Sequence, residues 1–220
     1  MHTYSINNDK RVKVIAIMIL ISVIITPGVN YLLDKISNLF SEEDTLKGII
    51  DIIDNFGYNI KQFSILFVFG IIYFLYDRYL WKIRICKIGF STIPNLSGVW
   101  KGEYKSSWKD TVGNVRLDII QTWTKIKIIS YNEKSKSYSR VASLLYDTNK
   151  NVELIFQYEN EPDSNSVKTM KPHKGFSELI YNEEFNKLEG YYTSDQRTRN
   201  THGYIWYEKE KKEKKKFKKN

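Results

Sequence analysis

Residues 98–105 read Gly-Val-Trp-Lys-Gly-Glu-Tyr-Lys, and this stretch decides the fold of the larger part of the chain. Glycine or an aromatic residue occupies every second position, and the positions between them carry valine, lysine or glutamate. Such alternation with a period of two is typical of a β-strand that buries one face and exposes the other. The stretch therefore predicts a strand whose inner face includes Trp100 and Tyr104.

The same alternation recurs seven times before residue 208, and most of the connections are short and polar. Eight such strands predict an all-β, up-and-down barrel over residues 94–208, closed and wide enough for one small ligand. Lysine and glutamate on the outward faces exclude a lipid-facing barrel, because charges on that face are costly inside a bilayer. The expected strands lie near residues 98–107, 114–121, 124–131, 138–147, 152–159, 173–181, 187–193 and 202–208.

The first ninety residues differ in composition from the rest of the chain. No charged residue occurs from Val14 to Leu33 or from Phe63 to Tyr76. Since about 20 apolar helical residues span the hydrocarbon core of a bilayer, residues 1–90 predict a transmembrane helical hairpin with spans about 12–33 and 61–81. Two alternatives stay open. The first run also resembles a cleaved signal peptide, and the second is short enough to be a buried core helix.

Basic residues mark the cytoplasmic side of the predicted hairpin, because lysine and arginine favour that side of a membrane. They flank the two runs at Lys10, Arg11 and Lys13 and again at Arg78, Lys82, Arg84 and Lys87. Both termini and the barrel are therefore expected in the cytoplasm. The basic tail, residues 209–220, carries eight lysines; it either attracts anionic lipid or is a solubilising disordered tail.

Composition also argues against several classes of protein. The 220-residue chain has one cysteine, three histidines and a formal charge of +9. One cysteine cannot form an internal disulfide or a thiolate zinc site. The sequence contains no His-Glu-x-x-His, Walker or Gly-x-Ser-x-Gly motif, so we expect neither an enzyme nor a metal or cofactor site. We also identify no basic face suited to DNA or RNA in the expected barrel.

An up-and-down barrel brings polar residues together at one mouth. Strand one leaves the membrane, so odd-numbered strands end, and even-numbered strands begin, at the membrane-distal mouth. Rings, hydroxyls and guanidinium groups meet there, which suits a nucleotide, because arginine pairs with phosphate and bases stack on aromatic rings. The predicted ligand-binding residues are Tyr104, Ser106, Ser107, Trp108, Ser137, Arg140, Tyr158, Asn160, His173, Tyr192, Thr193, Arg197, Arg199 and His202.

Several longer motifs resemble a known family. After the two predicted spans come IPNLSGVWKG (93–102), IQTWTKI (120–126), SKSYS (135–139), YENEP (158–162), HKG (173–175), LEGYY (188–192) and RTRNTHG (197–203). This set is similar to the SMODS-associating two-transmembrane, β-strand-rich effectors, a family of bacterial antiphage proteins. The Gly-x-Trp opening of the first motif also resembles lipocalins and other calycins, in which the tryptophan plugs one end of the barrel.

The family resemblance implies an effector of cyclic-oligonucleotide-based antiphage signalling (CBASS) in the bacterial inner membrane. The resemblance further implies that the cytoplasmic barrel binds a cyclic dinucleotide second messenger. The hairpins would then assemble into a homo-oligomer in the lipid bilayer and disrupt it, killing the cell. The residues alone indicate less, namely a membrane-anchored, calycin-like barrel that binds a nucleotide or, alternatively, a lipid or another small apolar ligand.

Overall fold

The computed structural model describes residues 1–7, 9–40, 65–85, 88–89, 91–146, 151–166, 170–195 and 200–210. The chain forms two compact units. One unit is Lys10–Ile83, and the other combines Met1–Asp9 with Arg84–Asn220. The first unit is therefore inserted between an N-terminal segment and the body of the same second unit.

The inserted unit is helical. Helix α1 runs from Arg11 to Phe40, helix α2 from Ile65 to Arg78, and a short 3₁₀ helix from Leu80 to Lys82. The two long helices pack against each other. Within α1, the hydroxyl of Ser22 donates to Met18 O (2.7 Å) and that of Thr26 to Ser22 O (2.6 Å), so these polar groups are satisfied inside the helix.

Apolar surface dominates both helices. The segment Arg11–Leu32 is long and apolar enough to cross a membrane, with a mean hydropathy of 2.4. Large apolar side chains stay exposed on both helices, including Ile24 at 77% and Leu66 at 79%. The expected second span, 61–81, contains the 14-residue α2, and its residues 61–64 lie outside the described part of the chain. Among the described residues, Arg11–Leu32 is thus the one candidate span. The second crossing stays a prediction.

The second unit is a β-barrel that closes on itself. All eight expected strands are present, with ends that differ from the expected ones by at most three residues. A separate two-stranded ladder, β2 and β3, precedes them. The strands are β1 (His2–Ile6), β2 (Arg84–Ile85), β3 (Ile88–Gly89), β4 (Gly98–Ser106), β5 (Val112–Gln121), β6 (Lys125–Asn132), β7 (Ser135–Tyr146), β8 (Val152–Pro162), β9 (His173–Asn182), β10 (Lys187–Ser194) and β11 (His202–Lys209).

The expectation of eight barrel strands is wrong, because β1 is a ninth. Strands β4 to β11 form the expected antiparallel meander, but β6 and β7 pair only where Ile129–Asn132 faces Ser135–Tyr138. Beyond that point β1 lies between them, antiparallel to β6 and parallel to β7. Only Tyr4 and Ile6 of β1 are buried, too short an alternation to be recognised in the sequence.

A tryptophan fills the end of the barrel at which β4 begins, here called the proximal end. Trp100 is fully buried, and its Nε1 donates to Leu96 O (2.9 Å). Its ring meets Tyr181 edge to face at 6.1 Å between centroids. Lys209 lies over the same ring, with Nζ 5.0 Å from the centroid and donating to Asn95 O (3.0 Å), and burial lowers the pKa of this lysine.

Within the barrel unit, one buried amide, that of Gln121, joins β1 to the segment that leads into β4. Its Oε1 accepts the N–H of Leu96 (2.8 Å), and its Nε2 donates to Pro94 O (3.2 Å) and Tyr4 Oη (3.3 Å). The tyrosine belongs to the strand that precedes α1, whereas Pro94 and Leu96 lead into β4. A single side chain on β5 thereby holds the departing and the returning chain together.

Replacing Trp100 tests the importance of the proximal plug. We expect Trp100→Ala to lower the free energy of unfolding by about 3–5 kcal/mol, because it removes a fully buried ring. Denaturant unfolding of the full chain in detergent measures this loss. Trp108 is the matched control: it is 54% exposed, and its replacement by alanine should change stability by about 0.5 kcal/mol or less. Equal losses in the two variants would show that Trp100 is not the plug.

Candidate functional site

The inner wall of the barrel changes from apolar to polar along each strand. On β8 the inward residues run from Val152 and Leu154 at the proximal end to Tyr158 and Asn160 at the other end. We call that other end, where β4 and β8 finish, the distal mouth. The same gradient appears on the neighbouring strands, whose distal inward residues are Tyr104, Ser106, Ser135, Ser137, Ser139, Ser177, Tyr192 and Ser194.

Three tyrosines lie on the distal inner wall, each over a glycine directly opposite on the next strand. The pairs are Tyr104 with Gly113, Tyr158 with Gly175, and Tyr192 with Gly203. A Cβ atom at any of the three glycines would overlap the tyrosine ring or its hydroxyl. The glycines therefore make room for the three tyrosine side chains on the wall.

The three tyrosines make further contacts within the wall. Tyr158 Oη donates to Thr193 O (3.2 Å), and the rings of Tyr104 and Tyr192 meet edge to face with centroids 6.4 Å apart. Deeper in, burial raises the pKa of Tyr207, and nearby Tyr158 and Tyr192 raise it further. The Tyr207 hydroxyl, hydrogen-bonded with Ser130, is therefore protonated and neutral at physiological pH.

A buried amide completes the polar wall. Asn160 is 4% exposed, and its Nδ2 donates to Ser135 Oγ and Ser137 Oγ, both at 2.9 Å. Its Oδ1 is buried and accepts no hydrogen bond from any described residue. Leaving a buried acceptor unpaired costs about 1–3 kcal/mol. A ligand that donates an N–H at this point would recover that cost.

The structure places the predicted site residues in two groups. On the distal inner wall it brings together Tyr104, Ser106, Ser137, Tyr158, Asn160, His173 and Tyr192. Exposed outside this wall are Ser107, Trp108, Arg140, Thr193 and His202. Arg140 pairs with Glu159 on the outer face, through an Nε–Oε2 hydrogen bond of 2.8 Å. Arg197 and Arg199 lie outside the described residues, between β10 and β11 in the sequence.

Sequence reasoning missed several members of the polar wall. Ser135, Ser139, Ser177, Ser194 and Tyr207 face inward but were not among the predicted site residues. The signal was available for most of them, because each continues the period-two alternation of a strand already recognised. Ser139 was harder to assign, because a bulge at Arg140 shifts the register of β7 between Ser139 and Val141.

A shallow groove of about 740 Å³ lies on the outer faces of β4, β5, β6 and β11. Two of its cations have carboxylate partners, Arg116 with Asp118 at 2.8 Å and Lys101 with Glu210 at 2.7 Å, and the third, Lys209, donates to Asn95 O. Glu103 and Glu208 also line it, so an anionic ligand would meet repulsion as well as attraction. In the described residues no group of three metal-ligating side chains occurs. The polar inner wall is therefore the better candidate site.

Comparison with known proteins identifies the family of this chain. The model of a family described as "Cap15, cyclic dinucleotide receptor domain" matches residues 91–209, more than half of the chain. This chain belongs to the Cap15 family. A curated relative, CD-NTase-associated protein 15 of Yersinia aleksiciae, is 30% identical over 144 residues, which cover 61% of this chain and 65% of the relative. The alignment thus spans less than two thirds of that protein.

The Cap15 match begins after the helical unit. It contains β4 to β11, all three tyrosine–glycine pairs and Asn160, so the polar inner wall lies wholly within the receptor-type domain. The ninth strand, β1, lies outside the match. The relation to the Cap15 family therefore covers the inner wall and does not extend to the strand that closes the barrel.

Gly113→Ala tests whether the glycines make room for the tyrosines. The added methyl would lie 2.9 Å from the Tyr104 ring and meets no backbone atom among its nearest neighbours. We expect a loss of about 1–3 kcal/mol from overpacking, and most of this loss should disappear in a Tyr104→Ala background. Denaturant unfolding of the parent, the two single variants and the double variant measures the coupling between Gly113 and Tyr104. Gly28→Ala in α1, where nothing lies within 4 Å, is the control; additive losses would contradict the pairing.

Proposed function

We propose that this chain is a membrane-anchored CBASS effector and a receptor without catalytic activity. Its barrel binds a cyclic dinucleotide on the polar inner wall at the distal mouth. Binding drives neighbouring helical hairpins to assemble in the bacterial inner membrane, and the assembly disrupts that membrane. The observation that carries this proposal is the set of tyrosine rings, hydroxyls and the orphaned Asn160 acceptor on one inner wall of a Cap15-family barrel.

The wall has the chemistry that nucleobases require. Each base has a flat π-face, and stacking on an aromatic ring contributes about 1–3 kcal/mol per base. Tyr104, Tyr158 and Tyr192 offer such rings, each packed beside the glycine opposite it. Base edges also carry N–H donors, which complement the unpaired Oδ1 of Asn160. The surrounding serine hydroxyls accept or donate as a ribose or base edge requires.

The phosphates require positive charge, which the described inner wall does not contain. Arg197 and Arg199 lie in the β10–β11 connection, which joins two strands at the distal mouth. Guanidinium groups pair with phosphate in a bidentate manner. We therefore assign the phosphate contacts to these two arginines, and we leave Arg140 out because it is paired with Glu159 on the outer face.

A lipid is the weaker ligand for this wall. An apolar chain would leave the buried Oδ1 of Asn160 without a hydrogen bond, and an unpaired buried acceptor costs about 1–3 kcal/mol. The proximal half, which is apolar, is already filled by Trp100 and its neighbours. The calycin-like lipid carrier therefore has less support than the nucleotide receptor.

Chain connectivity supports an even number of membrane crossings. Residues 2–6 and 98–209 form one closed sheet, so both ends of the helical unit attach to the same barrel. If α1 crosses the membrane once, the chain must cross it again before Arg84. The exposed apolar surface of α2 makes it the candidate for the return. Cleavage of the N-terminal run as a signal peptide would remove β1 from the barrel, which argues for an anchor.

Ligand binding by the barrel can be measured directly. A panel of cyclic dinucleotides is screened against the full chain in detergent. We expect the one that binds to add about 2.7 kcal/mol of stability when it is present at 100 times its dissociation constant. Asn160→Ala and Arg199→Ala should each weaken binding by about tenfold or more, which is about 1.4 kcal/mol. Arg140→Ala, a surface arginine with an ion pair, is the matched control and should bind as the parent does.

Three outcomes would contradict this assignment. Stabilisation by fatty acids and by no dinucleotide would favour the lipid carrier. Loss of binding in Arg140→Ala alone would move the site to the outer face. Unchanged calorimetric affinity in both Asn160→Ala and Arg199→Ala would remove the inner wall and its loop from the site.

The two-span arrangement predicts which residues lie on the side of the membrane away from the cytoplasm. In a Cys86→Ser background, Ser41→Cys lies between the two apolar runs and Ser107→Cys lies on the barrel. A thiol reagent that cannot cross membranes should label position 41 in intact spheroplasts, and position 107 only after lysis. Labelling of both positions from the outside, or of neither, would exclude a hairpin with a cytoplasmic barrel.

A further inference from the structure

The seam between β6 and β7 is closed by β1, a strand that precedes the helical unit in the sequence. On β6, Ile126 and Lys125 pair with His2 and Thr3. On β7, the partners of Tyr4, Ser5 and Ile6 are Ala142, Ser143 and Leu144. Without β1, main-chain groups of both strands would lose these partners, and unpaired strand edges are prone to wrong association. The part of the chain that matches the Cap15 receptor model is therefore an incomplete barrel.

Specific side chains hold β1 in the seam. Tyr4 is 3% exposed, and its hydroxyl donates to Trp123 O at 2.9 Å. Asn7 extends the ladder: its Nδ2 donates to Tyr146 O, and its Oδ1 accepts the N–H of Tyr146, both at 2.9 Å. Only residues 8–10 separate Asn7 from the start of α1 at Arg11. The strand is thus anchored immediately before the membrane-type helix.

Ser139 joins this strand to the polar inner wall. Its Oγ accepts the N–H of Ile128 on β6 (2.9 Å) and is hydrogen-bonded with His2 Nε2 on β1 (2.8 Å). On β7 it follows Ser135 and Ser137, the partners of the Asn160 amide, on the same inner face. Its opposite residue on β8 is Tyr158. The docked strand therefore positions the part of β7 that carries the candidate ligand contacts.

We propose that His2–Ile6 is a coupling strand. Its docking in the β6–β7 seam and ligand binding on the inner wall favour each other, and the docked strand transmits ligand binding to α1. The inference rests on the proposed function for its ligand. Coupling between two binding events is reciprocal. A barrel in which β1 is undocked must first order β7 before it binds. The apparent affinity for the ligand therefore falls in proportion to the fraction of chains in which β1 is docked.

A disulfide rescue tests the affinity half of this proposal. Tyr4→Ala removes the main buried anchor of β1, and we expect the full chain to bind the cyclic dinucleotide about tenfold more weakly. Ser5 Oγ and Ser143 Oγ lie 2.9 Å apart on the exposed side, so Ser5→Cys with Ser143→Cys in a Cys86→Ser background should cross-link β1 to β7. Oxidation should restore the affinity of the Tyr4→Ala chain, and reduction should abolish the rescue.

The control is a cross-link elsewhere on the outer face. Lys105 and Val112 are exposed and directly opposite on β4 and β5, and their cysteine pair should stabilise the barrel without rescuing affinity. Rescue by both cross-links would mean that Tyr4→Ala acts only through general stability. Failure of the Ser5–Ser143 cross-link to rescue, with the cross-link formed, would overturn the proposal.

A linker insertion tests the connection to α1. Six Gly/Ser residues inserted after Asn8 leave β1 and its contacts intact but loosen its attachment to the helix. We expect unchanged dinucleotide affinity and about tenfold slower ligand-dependent leakage from vesicles that contain the full chain. The same insertion after Glu184, in the exposed β9–β10 turn, should leave leakage unchanged. Undiminished leakage with the Asn8 insertion would overturn the coupling.

Failure of the proposed function gives a different pattern. A parent chain that binds no cyclic dinucleotide overturns both the receptor proposal and the coupling, whereas the Ser5–Ser143 cross-link would still report docking. A parent chain that binds but does not permeabilise vesicles overturns the effector proposal and the passage of the ligand state to α1. In that case the disulfide rescue alone decides whether ligand and strand are linked.

Discussion

Closure of the sheet requires a hydrogen-bonding partner on each side of every strand, and β6 and β7 meet this requirement for each other along only four residue pairs. The remaining edge is closed by β1, which lies before the helices in the chain. This one pairing makes the barrel discontinuous in sequence and attaches both ends of the helical unit to it. Gln121 strengthens the arrangement, since its amide is hydrogen-bonded both to Tyr4 of β1 and to Leu96, which leads into β4.

The inner face of the barrel changes from apolar to polar along its axis. At the proximal end Trp100, Leu117, Leu154 and Leu179 exclude water almost completely, and burial of such side chains is the dominant favourable term in folding. Toward the distal mouth the same inner face carries hydroxyls, an amide and tyrosine rings, which are costly to bury unless they are paired. Polar groups in that position are what a receptor needs, because they recover their desolvation cost when a complementary ligand binds.

Membership of the Cap15 family concerns the barrel as a whole. The family match covers β4 to β11, and the proposed contacts to bases lie on those strands. The helical unit lies outside the match, and its role rests on exposed apolar surface and on chain connectivity. A ligand can shift assembly only by its differential affinity for two states of the chain, and the proposed coupling strand supplies a physical route from ligand to helix.

Local patterns in the sequence determined the eight-stranded meander, the inward position of Trp100 and Tyr104, and the apolar character of α1, because alternation and hydropathy are properties of neighbouring residues. They also selected seven residues that share the distal inner wall, including Asn160 and His173. Tertiary structure alone decided the ninth strand, since the pairing of His2–Ile6 with residues more than 120 positions away leaves only two buried side chains as a trace. It also decided that both Arg140 and Val141 face outward, because the bulge between Ser139 and Val141 breaks the alternation of β7 there. Tertiary structure also decided the tyrosine–glycine pairs. The glycine that lies opposite each tyrosine depends on strand register, and register is set by packing across the whole barrel.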